Sequence, residues 1–130
     1  SDCGAIKAYL NGFEDESFNI RVELDFLNRL VSLSGNISKL KENLSLAIEH
    51  NIDYQVNIAC KKYRDLVHTN QLTVIGAFYD FTNDFGKGLG RVIIVNVNKK
   101  KRKEEIFNLP LFENIQEENK EIFIDRLSDT

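Results

Sequence analysis

The chain has 130 residues and a mass of 15.0 kDa, a length that fits one domain. Hydrophobic residues make up 42% and charged residues 28%, which supplies a core with an ordinary polar surface and excludes a disordered or fibrous chain. The net charge of -3 argues against a dedicated nucleic-acid binder, and no apolar run nears the roughly 18 residues of a membrane span.

The elements follow in chain order. Asp2 to about Asn11 reads as a short helix, with Asp2 as its N-cap and Gly12 as its stop. Phe13 to Asn19 is polar and loop-like. Arg21 to Ser32 reads as a second helix, with Val22, Phe26, Leu27 and Leu30 on one stripe, ended by Ser34-Gly35-Asn36. The strongest helical signal comes next. Leu40, Leu44, Ile48, Ile52, Val56, Ala59, Tyr63 and Leu66 recur at steps of three or four, which predicts one continuous apolar face. Asn36 or Ser38 can cap its start, and the weak helix formers around Asn51 mark a place for a local break. Leu72 to Phe81 is rich in β-branched and aromatic residues and reads as a strand. Arg91 to Val97 is a second strand, apolar on both faces and so expected to be buried on both. The glycine-bearing stretch from Thr82 to Gly90 joins them as a wide antiparallel hairpin. Lys99 to Glu105 is a charged turn. Leu111 to Leu127 reads as a last helix with Pro110 at its first turn and Phe112, Ile115, Ile122 and Phe123 inward. The fold class is therefore α/β, helices on a small sheet with two strands from this chain, in a single unit over residues 1–130.

The chemistry-bearing residues are few. Cys3 stands at a strand-to-helix junction, where a helix N-terminus favours the thiolate, the form that binds a metal. Cys60 lies beside Ala59 on the apolar side of the long helix and reads as a small buried hydrophobe rather than a second ligand. His50 and His68 have no partner ligand at a metal-like spacing. Gly86, Gly88 and Gly90 lead into a strand, whereas a dinucleotide fingerprint leads into a helix, so they read as a hairpin loop. Lys99 to Lys103 is a run of basic residues followed at once by Glu104 and Glu105 and without interleaved aromatics. It reads as a solvated turn rather than a nucleic-acid patch. Two cysteines far apart make no disulfide framework, and no secretory pattern opens the sequence, so a reducing, cytoplasmic setting is expected.

The opening string Ser1-Asp2-Cys3-Gly4-Ala5-Ile6-Lys7 resembles the second zinc-binding motif of the β-class carbonic anhydrases, His-x-x-Cys-Gly followed by a small residue and often Ile-Lys. Glu49, Asn51-Ile52, Gln55-Val56 and Asn57-Ile58 look like the family's long-helix pattern. Ile75-Gly76-Ala77-Phe78-Tyr79-Asp80 looks like its strand ending Gly-x-x-Tyr-Asp. The resemblance covers residues 2–98; from there on, including the predicted C-terminal helix 111–127, none is seen. It implies the C-terminal part of a β-carbonic-anhydrase-like fold. It also implies, for the intact family, zinc-dependent hydration of carbon dioxide to bicarbonate, with Cys3 as a metal ligand. The departures bear on activity. The motif's His would stand immediately before Ser1, and the family's first zinc motif, Cys-x-Asp-Ser-Arg, does not occur in these residues. Of the family's ligands only Cys3 remains, and catalytic zinc needs about three protein ligands and an open position. This chain alone is therefore expected to be inactive and to bind zinc weakly or not at all. It is either part of an enzyme of this lyase family or a non-catalytic derivative serving in binding or assembly. The implied partner is a second copy or an N-terminal portion, with neither nucleic acid nor membrane.

Overall fold

The computed structural model describes residues 3–12 and 44–128. The predicted loop 13–19, the predicted helix 21–32 and the predicted start of the long helix lie outside the described residues. Among those described, the order is α1 (Gly4–Asn11), α2 (Leu44–Lys62), α3 (Arg64–His68), β1 (Ile75–Asp80), β2 (Arg91–Val97), α4 (Lys103–Phe107), a 3-10 turn (Pro110–Phe112) and α5 (Glu117–Phe123). The architecture is mixed, helices around a two-stranded antiparallel sheet.

α1 begins with Cys3, not Asp2, as its N-cap residue, and Gly12 ends it at φ 94, a left-handed position that glycine occupies without a Cβ clash. Ile6 and Leu10 fall one turn apart and pack on Leu46 and Ala47 of α2.

α2 passes through Asn51 unbroken and stops instead at Lys62, with Tyr63 at φ -111 and ψ 32 before α3 resumes. Burial explains why the weak formers hold. Asp53, Tyr54 and Val56, just past Asn51, are all buried, and such packing outweighs the fraction of a kcal/mol by which propensities differ. The buried face also differs from the predicted stripe. It comprises Leu46, Ala47, Glu49, Asp53, Tyr54, Val56 and Cys60, whereas Tyr63 and Leu66 are more than two-fifths exposed. Tyr63 sits at the break and Leu66 on α3, so neither continues the buried face of α2.

The hairpin pairs Phe78 with Ile93, Tyr79 with Val92 and Asp80 with Arg91. β1 alternates strictly, with Gly76, Phe78 and Asp80 facing in. Gly76 lies so close to α2 that a methyl group there would stand 2.6 Å from Ile52 Cγ2 and 2.7 Å from Val56 Cγ2. Both neighbours are β-branched and stiff at χ1, so the glycine is what lets strand and helix touch. The pairing then skips a residue. Gly76 opposes Asn96 and Ala77 opposes Ile94, leaving Val95 as a bulge in β2. Beyond the bulge Asn96 points to α2 and Val97 to the far side, where it packs with Ile106, Phe112 and Ile124. β2 was expected to be buried on both faces, and it is so only in part. Ile93, Val95, Asn96 and Val97 are buried, but Val92 is 53% exposed.

The predicted C-terminal helix is interrupted. Pro110 does open a helical turn, but it is a 3-10 turn. α5 covers only Glu117–Phe123, and the chain then extends. Of the residues expected inward, Phe112 is buried and Phe123 and Ile115 partly so, while Ile122 is 44% exposed. The reason for the interruption is the open edge of β2. Ile124 forms a parallel bridge with Ile94, and the Asp125 amide donates to the Ile94 carbonyl at 3.3 Å. An extended segment satisfies an edge that a helix would leave bare.

Candidate functional site

Cys3 caps α1 with its backbone, its carbonyl accepting the Lys7 amide at 3.0 Å, while its side chain makes no capping bond. It is partly buried against the cluster of Ile6, Leu10, Leu46 and Ala47. The other sequence candidates lie apart from it in role. Cys60 is buried, and burial pushes its thiol up, with the Lys99 charge working against that, so it is a poor thiolate at neutral pH. His68 is exposed at the end of α3. Among the described residues no group of three or more His, Cys, Asp or Glu converges as a metal site. The three glycines sit at φ 71, 111 and 68 in the hairpin loop, as read from their position before a strand. The Gly88 amide donates to Asn83 Oδ1 at 2.7 Å and the Gly90 amide to the Asp80 carbonyl at 2.8 Å.

The densest polar chemistry lies elsewhere, between α2, β2 and the extended tail. Glu49 and Asp53 are one helical turn apart, both buried, and both face Arg126. Arg126 Nη1 and Nη2 donate to Asp53 Oδ1 and Oδ2, each at 2.9 Å, in the two-pronged geometry that suits a guanidinium and a carboxylate. Nη1 also donates to the Val95 carbonyl at 2.7 Å and Nη2 to Ser128 Oγ at 2.8 Å. Asn96 Nδ2 completes Asp53 at 2.8 Å, a contact that depends on the bulge at Val95. Glu49 receives the backbone amides of Leu127 and Ser128 and the Ser128 hydroxyl, and Arg126 Nη2 lies 3.2 Å from its Oε1. Sequence reading placed Glu49 only within a family pattern and gave Asp53 and Arg126 no role. Two acids spaced i, i+4 inside an otherwise apolar helix face was the available signal.

The cluster's chemistry is structural. A general acid or base must reach a substrate proton. Glu49 is fully buried and occupied by tail donors, and Asp53 is occupied by Arg126 and Asn96. What the carboxylates do is hold residues 124–128 against α2 and β2.

His50, beside this cluster, is half-buried and its pKa is lowered. Burial is the main cause, the charges of Asp53 and Glu49 oppose it, and Arg126 and Lys101 add to it. The sign follows from linkage. The folded protein holds its proton less well than the unfolded chain, so stability falls as pH drops below the ordinary histidine value of about 6.5. Thermal melting followed between pH 8 and pH 5 is expected to show that decline, and His50→Gln is expected to flatten it. An unchanged slope in the variant would remove His50 from the account.

No helix among the described residues is long and apolar enough to cross a membrane. Comparison with protein-family models, with curated proteins and with solved structures returns no match for this chain.

Proposed function

We propose that this chain is the C-terminal portion of a β-carbonic-anhydrase-like fold that does not by itself hydrate carbon dioxide. The observation that carries the reading is the junction at Cys3-Gly4, where the motif's cysteine is the N-cap residue of a helix and its thiol makes no capping bond. Support also comes from element order. The motif helix, the long helix and a strand ending Gly76-x-x-Tyr79-Asp80 follow one another, and Gly76 and Asp80 both have specific packing roles. The described residues do not fit a zinc centre. Cys3 is the one family ligand among them, and it packs against aliphatic side chains. No catalytic step is therefore derived through the metal, and any further ligands would have to come from outside these residues. The expected result is that the purified chain retains well under one zinc per molecule after dialysis and hydrates carbon dioxide no faster than a zinc blank. Stoichiometric zinc lost in Cys3→Ser, with activity, would overturn the inactive assignment and place the missing ligands within this chain.

A second reading is favoured by one surface. The outward face of the hairpin exposes Ile75, Tyr79, Phe81 and Val92, with the Tyr79 and Phe81 rings 4.4 Å apart. That is an apolar row beside a strand edge, the kind of surface that associates. On this reading the chain is a binding or assembly module, and its partner is a second copy or an N-terminal portion that supplies the neighbouring strand. Sedimentation at micromolar concentration is the test. Self-association weakened by Tyr79→Ser/Phe81→Ser supports assembly through this face, and a well-folded monomer that melts cooperatively overturns it.

A further inference from the structure

The sequence alone points away from a membrane partner, but folding brings together two basic clusters that are far apart in the chain. Lys61, Lys62 and Arg64 span the break between α2 and α3, and all are exposed. Lys99 and Lys100 form the turn after β2 and are exposed too. Short links join the two places. The Leu72 amide donates to the Leu66 carbonyl at 3.1 Å, and Val74 exchanges hydrogen bonds with Asn98 at 2.9 and 2.7 Å. The Lys99 charge is felt at Cys60, next to Lys61.

Lys87, Arg102, Lys103 and Arg126 pair with carboxylates, whereas among the described residues none of the five clustered cations does so, nor do the separate Arg91, Lys101 and Lys120. In a chain with more acids than bases, an unpaired basic corner leaves its counter-charge to come from outside. Apolar side chains stand among the cations. Ile58, Tyr63 and Leu66 are each more than two-fifths exposed, and Lys62 Nζ lies 5.5 Å from the Tyr63 ring centre. Lys61 to Leu66 line an open cleft of about 370 Å³.

We propose that this corner docks onto an anionic lipid surface. Lysine and arginine stems can lie along apolar groups while their charges meet lipid phosphates and carboxylates, and the aliphatic tips enter the boundary between headgroup and acyl chain. Single-stranded nucleic acid is the less fitting polyanion. It gains affinity by stacking bases on aromatic rings, and here Tyr63 is the one ring beside two aliphatic side chains.

The test is partition of the full chain onto vesicles of phosphatidylcholine with about one-third phosphatidylserine, against phosphatidylcholine alone. Binding is expected to the anionic vesicles only and to weaken as salt rises, since screening shortens the reach of each charge. Lys61→Gln/Lys62→Gln/Arg64→Gln is expected to lower the partition coefficient about a hundredfold, each basic residue near such a surface contributing about fivefold. Tyr63→Ser/Leu66→Ser is expected to lower it while leaving the salt dependence in place. Lys7→Gln/Lys87→Gln/Arg91→Gln, with the same change in net charge, is expected to leave it nearly unaltered. Circular dichroism melts confirm that the variants remain folded. Failure to bind anionic vesicles, equal loss in the two charge variants, or binding to single-stranded RNA with none to vesicles overturns the proposal.

Discussion

Arg126→Met is expected to lower the free energy of unfolding by about 3–5 kcal/mol, the usual cost of stranding a buried charge. The loss does not measure the strength of one ion pair. With Arg126 in place, two buried carboxylates share one guanidinium, and Asp53 takes two hydrogen bonds from it. Removing the guanidinium leaves both acids away from water without a counter-charge and frees the Val95 carbonyl as well. A small domain is stable by only about 5–15 kcal/mol, so a substantial unfolded fraction at room temperature is within range. Arg126→Lys keeps the charge but not the planar fork, and an intermediate loss is expected. Glu49→Gln/Asp53→Asn/Arg126→Met, which removes all three charges together, is expected to be milder than Arg126→Met alone, because no orphan ion remains. Urea unfolding of the three variants decides the matter. A loss below about 1 kcal/mol in Arg126→Met would mean that the acids are solvated and that the tail is not held as described.

The legible and illegible parts of this fold divide along physical lines. The hairpin was legible because β-branched runs flanked by Gly86, Gly88 and Gly90 have few other solutions, and β2 spans Arg91–Val97 as read. α1 was legible from its stop at Gly12. The end of the chain was not. Leu111 to Leu127 has helical periodicity, but what stops α5 at Phe123 is the unsatisfied edge of β2 and the carboxylates of Glu49 and Asp53, which are far off in sequence. Local pattern carries no information about such a partner. The long helix also failed at its far end. Its period continues through Tyr63 and Leu66, but the helix breaks at Tyr63 and both residues stay exposed. Cys3 was singled out by its neighbours in sequence, whereas the Glu49, Asp53 and Arg126 cluster needed three elements to be brought together.

Asp80→Ala is expected to cost about 3 kcal/mol and to release the hairpin loop from the sheet, an estimate for two charge-assisted hydrogen bonds discounted for the loop's access to water. Asp80 ends the strand segment Gly76-x-x-Tyr79-Asp80 and is completely buried. Its two carboxylate oxygens accept the amides of Asp84 at 2.9 Å and Phe85 at 3.0 Å, while its carbonyl accepts the Gly90 amide. One residue thus holds the loop from Thr82 to Gly90 near both ends. The consequences reach two other elements. Phe85 stands edge-on to Phe78 at 5.1 Å in the core, and the Asp84 carboxylate accepts the Ser45 hydroxyl of α2 at 2.6 Å. Asp80→Asn is the more discriminating change. The amide fills the same space but keeps one accepting oxygen, so one loop amide loses its partner and roughly half the cost is expected. Hydrogen exchange provides a readout separate from global stability. In Asp80→Asn one of the Asp84 and Phe85 amides is expected to exchange much faster than in the parent, and in Asp80→Ala both. If both amides remain protected in Asp80→Ala, the loop is held by its own turns, and the aspartate that ends this strand has another task.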